Sequence, residues 1–168
     1  MKNRVALLIG GNQGDRRALM AQARELIGER IGRVVAASGV YESEPWGTFG
    51  SESGELRVES FLNQAVVVET ALTAREVLEE ALRIETQLGR RRPQGREVSP
   101  AGERVYHSRT MDIDIIFYND EVIDTPELTV PHPRMHLRRF VLEPLAEIMP
   151  EYRHPVLKKT VRCLVDNV

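Results

Sequence analysis

Apolar and polar positions alternate along Thr110-Met111-Asp112-Ile113-Asp114-Ile115-Ile116-Phe117-Tyr118, the period of a strand with one buried face. Met111, Ile113, Ile115 and Phe117 are expected to face a core, and Asp112 and Asp114 to share the opposite side. Val5 to Ile9 predicts another strand, short and apolar, closed by a tight turn through Gly10-Gly11-Asn12-Gln13-Gly14-Asp15. Asp15 opens a helix to about Ile31, with Leu19, Ala23, Leu26 and Ile27 on one face. Val34 to Tyr41 and Phe61 to Glu69 read as further strands, separated by an exposed loop rich in Gly, Ser and Glu.

Thr73 is the expected N-cap of a second helix, with Glu76 as its capping-box partner. Val77, Leu78, Ala81, Leu82, Ile84 and Leu88 would face inward, and Gly89 ends the helix. After the 110–118 strand, Asn119-Asp120 is a turn and Glu121 to Asp124 a short antiparallel return. Pro131-His132-Pro133 forms a rigid corner that fixes the direction of the histidine. Arg138, Arg139 and Phe140 lead into a helix from Val141 to Ile148, and a short final helix is expected over Thr160 to Asn167. The order β, α, β, β, α, β gives an α+β fold, a ferredoxin-like antiparallel sheet with helices packed mainly on one face and long loops beside the other.

Composition narrows the class. With 168 residues, 42% hydrophobic and 29% charged, the chain fits a single soluble domain over residues 1–168. A formal charge of -2 and a pI near 6.1 argue against a dedicated nucleic-acid binder. The single cysteine, Cys163, forms no internal disulfide, and no CxxC or Cys/His cluster suggests zinc. The apolar run at Val5 to Ile9 is too short for a signal peptide or membrane span, so a cytoplasmic monomer acting on small molecules is expected.

Chemistry enters where the pattern and the charges meet. Two residues of strand rise set the Asp112 and Asp114 backbones roughly 6 to 7 Å apart, near enough for their oxygens to converge on hard cations. Mg²⁺ typically takes one or two carboxylates plus phosphate oxygens, whereas an exposed sheet face that happens to carry two acids explains the pair less well. Residues 89–108 hold five arginines (90, 91, 92, 96 and 104) against Glu97 and Glu103, a local charge of +3 in an acidic chain. A long cationic loop beside a dicarboxylate strand suggests an anionic ligand clamped between them. The glycines at 10, 11 and 14 lack the Gly-Lys-Ser/Thr ending of a phosphate loop and read as a structural turn.

Taken together, Ile9 to Asp15, Tyr41 to Gly47, Phe61-Leu62-Asn63, Ile84-Glu85 with Gly89 to Arg92, Arg109 to Ile115, and Val130 to Pro133 through Arg138 to Leu142 resemble the 6-hydroxymethyl-7,8-dihydropterin pyrophosphokinases over residues 5 to about 150. That resemblance implies transfer of pyrophosphate from ATP to a pterin alcohol in folate biosynthesis, with AMP as the other product. It implies that Asp112 and Asp114 hold two Mg²⁺ ions, and that Arg90 and Arg92 act with them in catalysis. Glu85, Arg90, Arg92, Arg109, Ile115, His132 and Arg138 would serve the nucleotide, with a structural salt bridge as the alternative role for Glu85. Phe61 and Phe140 would sandwich the pterin, Asn63 would read its polar edge, and Ser43, Glu44 and Trp46 would complete the pterin site. This chain departs from the family pattern in reading Tyr106-His107-Ser108 where many members carry Trp-Gly-Pro, and in carrying Pro133 where an aromatic residue is frequent. Two rivals remain from the residues alone. One is a non-catalytic nucleotide-sensing module with a ferredoxin-like sheet, and the other a metal-dependent phosphohydrolase that uses water as acceptor.

Overall fold

Strand β1 (Asn3–Gly11) is the spine of the sheet, because seven consecutive buried residues from Val5 onward allow it to be covered on both faces. The computed structural model describes residues 2–11, 16–43, 61–88 and 111–168, with Arg16 and Ser43 described by backbone alone. β1 pairs antiparallel with β4 (Phe61–Thr70) on one side and β5 (Asp112–Tyr118) on the other. The edge strands β2 (Arg33–Ala37) and β3 (Tyr41–Ser43) both pair with β4, giving the order β2-β4-β1-β5.

Helices α1 (Arg16–Arg30) and α2 (Ala74–Gln87) cover one face. Met20, Ala23 and Ile27 of α1 and Val77, Ala81 and Ile84 of α2 pack there with Val5, Leu7, Ile9, Val66, Val68, Ile113 and Ile115. The start of α2 is set by the expected capping box: Thr73 Oγ1 accepts from the Glu76 N–H at 3.2 Å, and Glu76 Oε1 accepts from the Thr73 N–H at 2.9 Å. On the opposite face, α3 (Arg139–Ile148) and α4 (Val161–Asp166) bury Val141, Leu142, Leu145, Val161 and Leu164 against Ala6, Leu8 and Ala65. The apolar packing of this second layer ends near Leu8 and Ala65, and the next row, through Gly10, carries Asn63 and Asp112.

Several local expectations are corrected. The 34–41 strand is two strands, because the Ser38 hydroxyl interrupts it: Ser38 Oγ accepts the Ala65 N–H at 3.0 Å and donates to the Gly39 carbonyl at 2.7 Å. Gly10 and Gly11 belong to β1 rather than to a turn. A β-bulge opposite Ala6 and Leu7 inserts an extra residue in β5, so Phe117 leaves the face of Ile113 and Ile115 and packs with α3 instead. The return after the central strand does not pair with β5. Its residues β6 (Ile123–Asp124) join β7 (Thr129–Val130) in a separate ribbon, closed by Thr125 and Leu128 bonding each other's backbone. Leu82 is 49% exposed, since the buried stripe of α2 runs through Val77, Ala81, Ile84 and Glu85. The loops 45–60 and 89–108 lie outside the described residues.

Candidate active site

Register alone places the two aspartates on one side of the sheet. Gly10 lies opposite Asn63 of β4 and Asp112 of β5, and Leu8 lies opposite Ala65 and Asp114. Directly paired residues project to the same face, so Asn63, Asp112 and Asp114 share the face that α3 covers lower down. Phe61, two residues from Asn63, joins them, and β3 adds Tyr41 opposite Asn63 and Ser43 opposite Phe61. Asp114 sits level with the last apolar pair, Leu8 and Ala65, where covered core gives way to polar surface. Both aspartates are half-buried.

Gly10 has a use that its reading as a turn residue missed. A Cβ there would stand 2.8 Å from Asn63 Oδ1 and 3.3 Å from the Leu62 carbonyl. Only a residue without a side chain lets the Asn63 amide, 4% exposed, lie across β1 toward the acids. The signal available in the sequence was a glycine pair directly continuing an apolar strand.

The outer edge of β5 is closed by two side elements rather than by another strand. Glu85, 2% exposed on α2, accepts the Ile113 N–H at 2.7 Å through Oε2, between the two aspartates in sequence. A buried carboxylate needs such a charge-assisted bond, and here it fixes the backbone that carries Asp112 and Asp114. On the same edge, the His132 N–H donates to the Ile116 carbonyl at 3.0 Å. That bond brings the imidazole beside the acids, following a cis Val130–Pro131 peptide. Burial, then Arg138, lower the His132 pKa below its ordinary value, with Arg134 adding to the effect and Asp112 opposing it. The ring is therefore neutral at pH 7 and available for hydrogen bonding.

The Arg138 guanidinium lies 5.7 Å from the centroid of Phe140, in cation–π range, at the start of α3. Phe140 packs against the α3 core, half-buried, on the face of Phe61 and Asn63. The structure thus groups Asp112, Asp114, Asn63, Phe61, His132, Arg138 and Phe140 around one side of the sheet. Ile115 is different: its side chain is buried on the α1 and α2 side, which leaves only its backbone for a ligand. Glu44, Trp46, Arg90, Arg92 and Arg109 lie outside the described residues, as does the Ser43 side chain. Among the described residues no group of three or more His, Cys, Asp or Glu side chains stands ready for a metal ion.

A family model for 7,8-dihydro-6-hydroxymethylpterin-pyrophosphokinase matches residues 6–150. The chain belongs to this family. Among relatives in the pyrophosphokinase family, the 2-amino-4-hydroxy-6-hydroxymethyldihydropteridine pyrophosphokinase of Porphyromonas gingivalis is 38% identical over 152 residues, 90% of this chain and 93% of the relative. The Bacillus subtilis protein of the same name is 39% identical over 149 residues, 88% of this chain and 79% of its own length. That of Aquifex aeolicus is 35% identical over 159 residues, covering 94% and 88%. In three dimensions the chain superposes on Plasmodium falciparum HPPK-DHPS with pteroate at a TM-score of 0.74 and 19% identity. The match covers 99% of this chain and 42% of that one, and it shows that the α+β architecture is shared. No helix among the described residues is long and apolar enough to cross a membrane.

Proposed function

We propose that this chain transfers the pyrophosphoryl group of ATP to the hydroxymethyl oxygen of 6-hydroxymethyl-7,8-dihydropterin, giving AMP and the pterin diphosphate. Family membership supports the reaction, and the observation that carries the site assignment is the shared face of Asp112, Asp114, Asn63 and Phe61. Asp112 and Asp114 would hold two Mg²⁺ ions, which supply neutralisation of the charge that builds up on the transferring phosphoryl oxygens. Asn63 reads the polar edge of the pterin ring while Phe61 and Phe140 stack on its faces, with Ser43, Glu44 and Trp46 completing the pocket. His132 and Arg138 take phosphate or ribose oxygens of the nucleotide, and Arg90, Arg92 and Arg109 close the cationic side. Glu85 acts one step back, by holding the β5 backbone.

The catalytic power of such a site is positioning plus electrostatics. In-line attack of the pterin oxygen on the β-phosphorus needs the two substrates end to end, and a rigid sheet supplies that alignment. We place the activity in the cytoplasm, in a monomer with one domain spanning 1–168. Incubation of the purified chain with ATP and Mg²⁺, with and without 6-hydroxymethyl-7,8-dihydropterin, tests the proposal. AMP that appears only with the pterin supports it. ADP or orthophosphate formed without pterin identifies a phosphohydrolase, and nucleotide binding without turnover identifies a sensing module.

A further inference from the structure

Strand β3 is three residues long and lies at an edge, so strand pairing alone holds it weakly. Its second attachment comes from α3. Glu147, on the last turn of α3, accepts the Tyr41 hydroxyl at 2.7 Å and the Gly39 N–H at 3.1 and 3.2 Å. One carboxylate therefore grips the segment entering β3 at two points, through both of its oxygens. The Tyr41 hydroxyl has its pKa raised, first by this bond to Glu147, then by burial and by the charges of Glu147 and Glu143.

One of these two elements, α3, carries the proposed stacking ring Phe140, and the other, β3, is paired to the start of β4, which carries Phe61. β3 pairs with β4 at Tyr41–Asn63 and Ser43–Phe61, which links Tyr41 to one wall of the pterin slot. α3 carries Phe140 seven positions before Glu147, two turns or roughly 10 Å along a helix that passes through Pro144, which links Glu147 to the other wall. We propose that Tyr41 and Glu147 are positioning residues that set the width of the pterin slot by tying β3 to α3. This inference rests on the reading of Phe61 and Phe140 as the slot walls. Neither Tyr41 nor Glu147 touches substrate. The bond is a charge-assisted one at an exposed carboxylate, so it adds little to global stability while fixing the separation of the walls.

The test uses the full chain in steady-state kinetics with each substrate varied, together with thermal unfolding. Tyr41→Phe and Glu147→Ala are expected to raise KM for the pterin by about threefold to tenfold. KM for ATP should stay within about twofold and Tm within about 2 °C, because the global fold is untouched. Glu147→Gln, which keeps an acceptor oxygen, should recover most of the loss. The Tyr41→Phe, Glu147→Ala double variant should be no worse than Glu147→Ala alone, since Tyr41→Phe removes only a bond that Glu147→Ala already removes. Pterin KM unchanged in Tyr41→Phe and Glu147→Ala, while Phe61→Ala and Phe140→Ala raise it, overturns the tie and leaves the slot standing. Pterin KM, ATP KM and Tm all moving together would also overturn it, by showing a structural role. If Phe61→Ala and Phe140→Ala leave the pterin KM unchanged, the slot reading falls and the tie falls with it.

Discussion

The two faces of this sheet are made by the same strands and differ completely in what they do. On the α1 and α2 side the rows through Val5, Leu7 and Ile9 of β1, all three fully buried, are apolar apart from Gln64, which lies opposite Ile9 and accepts from Arg24 of α1. On the α3 side Ala6 and Leu8 are covered, and then the row through Gly10 turns polar, with Asn63 on one neighbour and Asp112 on the other. Strand periodicity sends alternate residues to opposite faces, so a few substitutions at every second position create a site without disturbing the core behind it. Stability and chemistry are thereby separated by the thickness of one sheet.

Changes on the two faces should therefore have different signatures. The largest effect is expected from Asp114→Ala, which should lower kcat on the order of a hundredfold or more while Tm stays within about 2 °C. Rates of AMP release and a thermal melt check both halves, and an unfolded variant would place Asp114 among the structural residues. Leu7→Ala, on the closed face, should do the reverse. A cavity there costs about 2–5 kcal/mol by urea unfolding, with kcat per folded molecule unchanged.

Gly10→Ala tests the boundary between the faces. The new methyl would meet Asn63 Oδ1 at 2.8 Å. The amide must then move, and pterin KM should rise about tenfold with ATP KM unaffected. An unaltered pterin KM would detach Asn63 from recognition of the ring.

The smallest effect is a pH dependence seated in the covered half of the second face. Burial, and then His136, hold the His154 imidazole below its ordinary value of 6.5. Its Nδ1 is occupied by the N–H groups of Val156 and Leu157, at 3.1 and 3.0 Å. As the pH falls below 6.5 the unfolded chain takes up the proton first, so stability that is present above that value is lost toward the lower folded-state pKa. His132, shifted in the same direction, adds to the loss. The urea midpoint at about pH 5.5 should lie below that at about pH 7.5, and the gap should narrow in His154→Gln. A gap that is unchanged in the variant would assign the effect to other groups.

Much of this division was legible in the amino-acid sequence, because it follows from period 2. The side shared by Asp112 and Asp114 follows directly from Ile113 and Ile115 alternating with them, and register bears it out. The capping box at Thr73 and Glu76 was equally local, and it formed as expected. What escaped depends on contacts distant in the chain. The bulge that turns Phe117 over is created by pairing with β1, more than a hundred residues earlier. Glu85 read as a ligand or salt-bridge acid, and the structure adds a bond that holds the edge of β5, a role visible only once α2 is laid beside that strand. Tyr41 and Glu147 carry no motif linking them, and only the packing of α3 on β3 and β4 brings them together.

The central claim is that two carboxylates on the open face gather magnesium beneath a triphosphate. Electron paramagnetic resonance of Mn²⁺ retained by the chain, with a non-hydrolysable ATP analogue and the pterin present, tests it most directly. The wild-type chain should retain two ions per site, and the Asp112→Ala, Asp114→Ala double variant at most the one carried by the nucleotide. An equal count in both proteins would contradict the assignment.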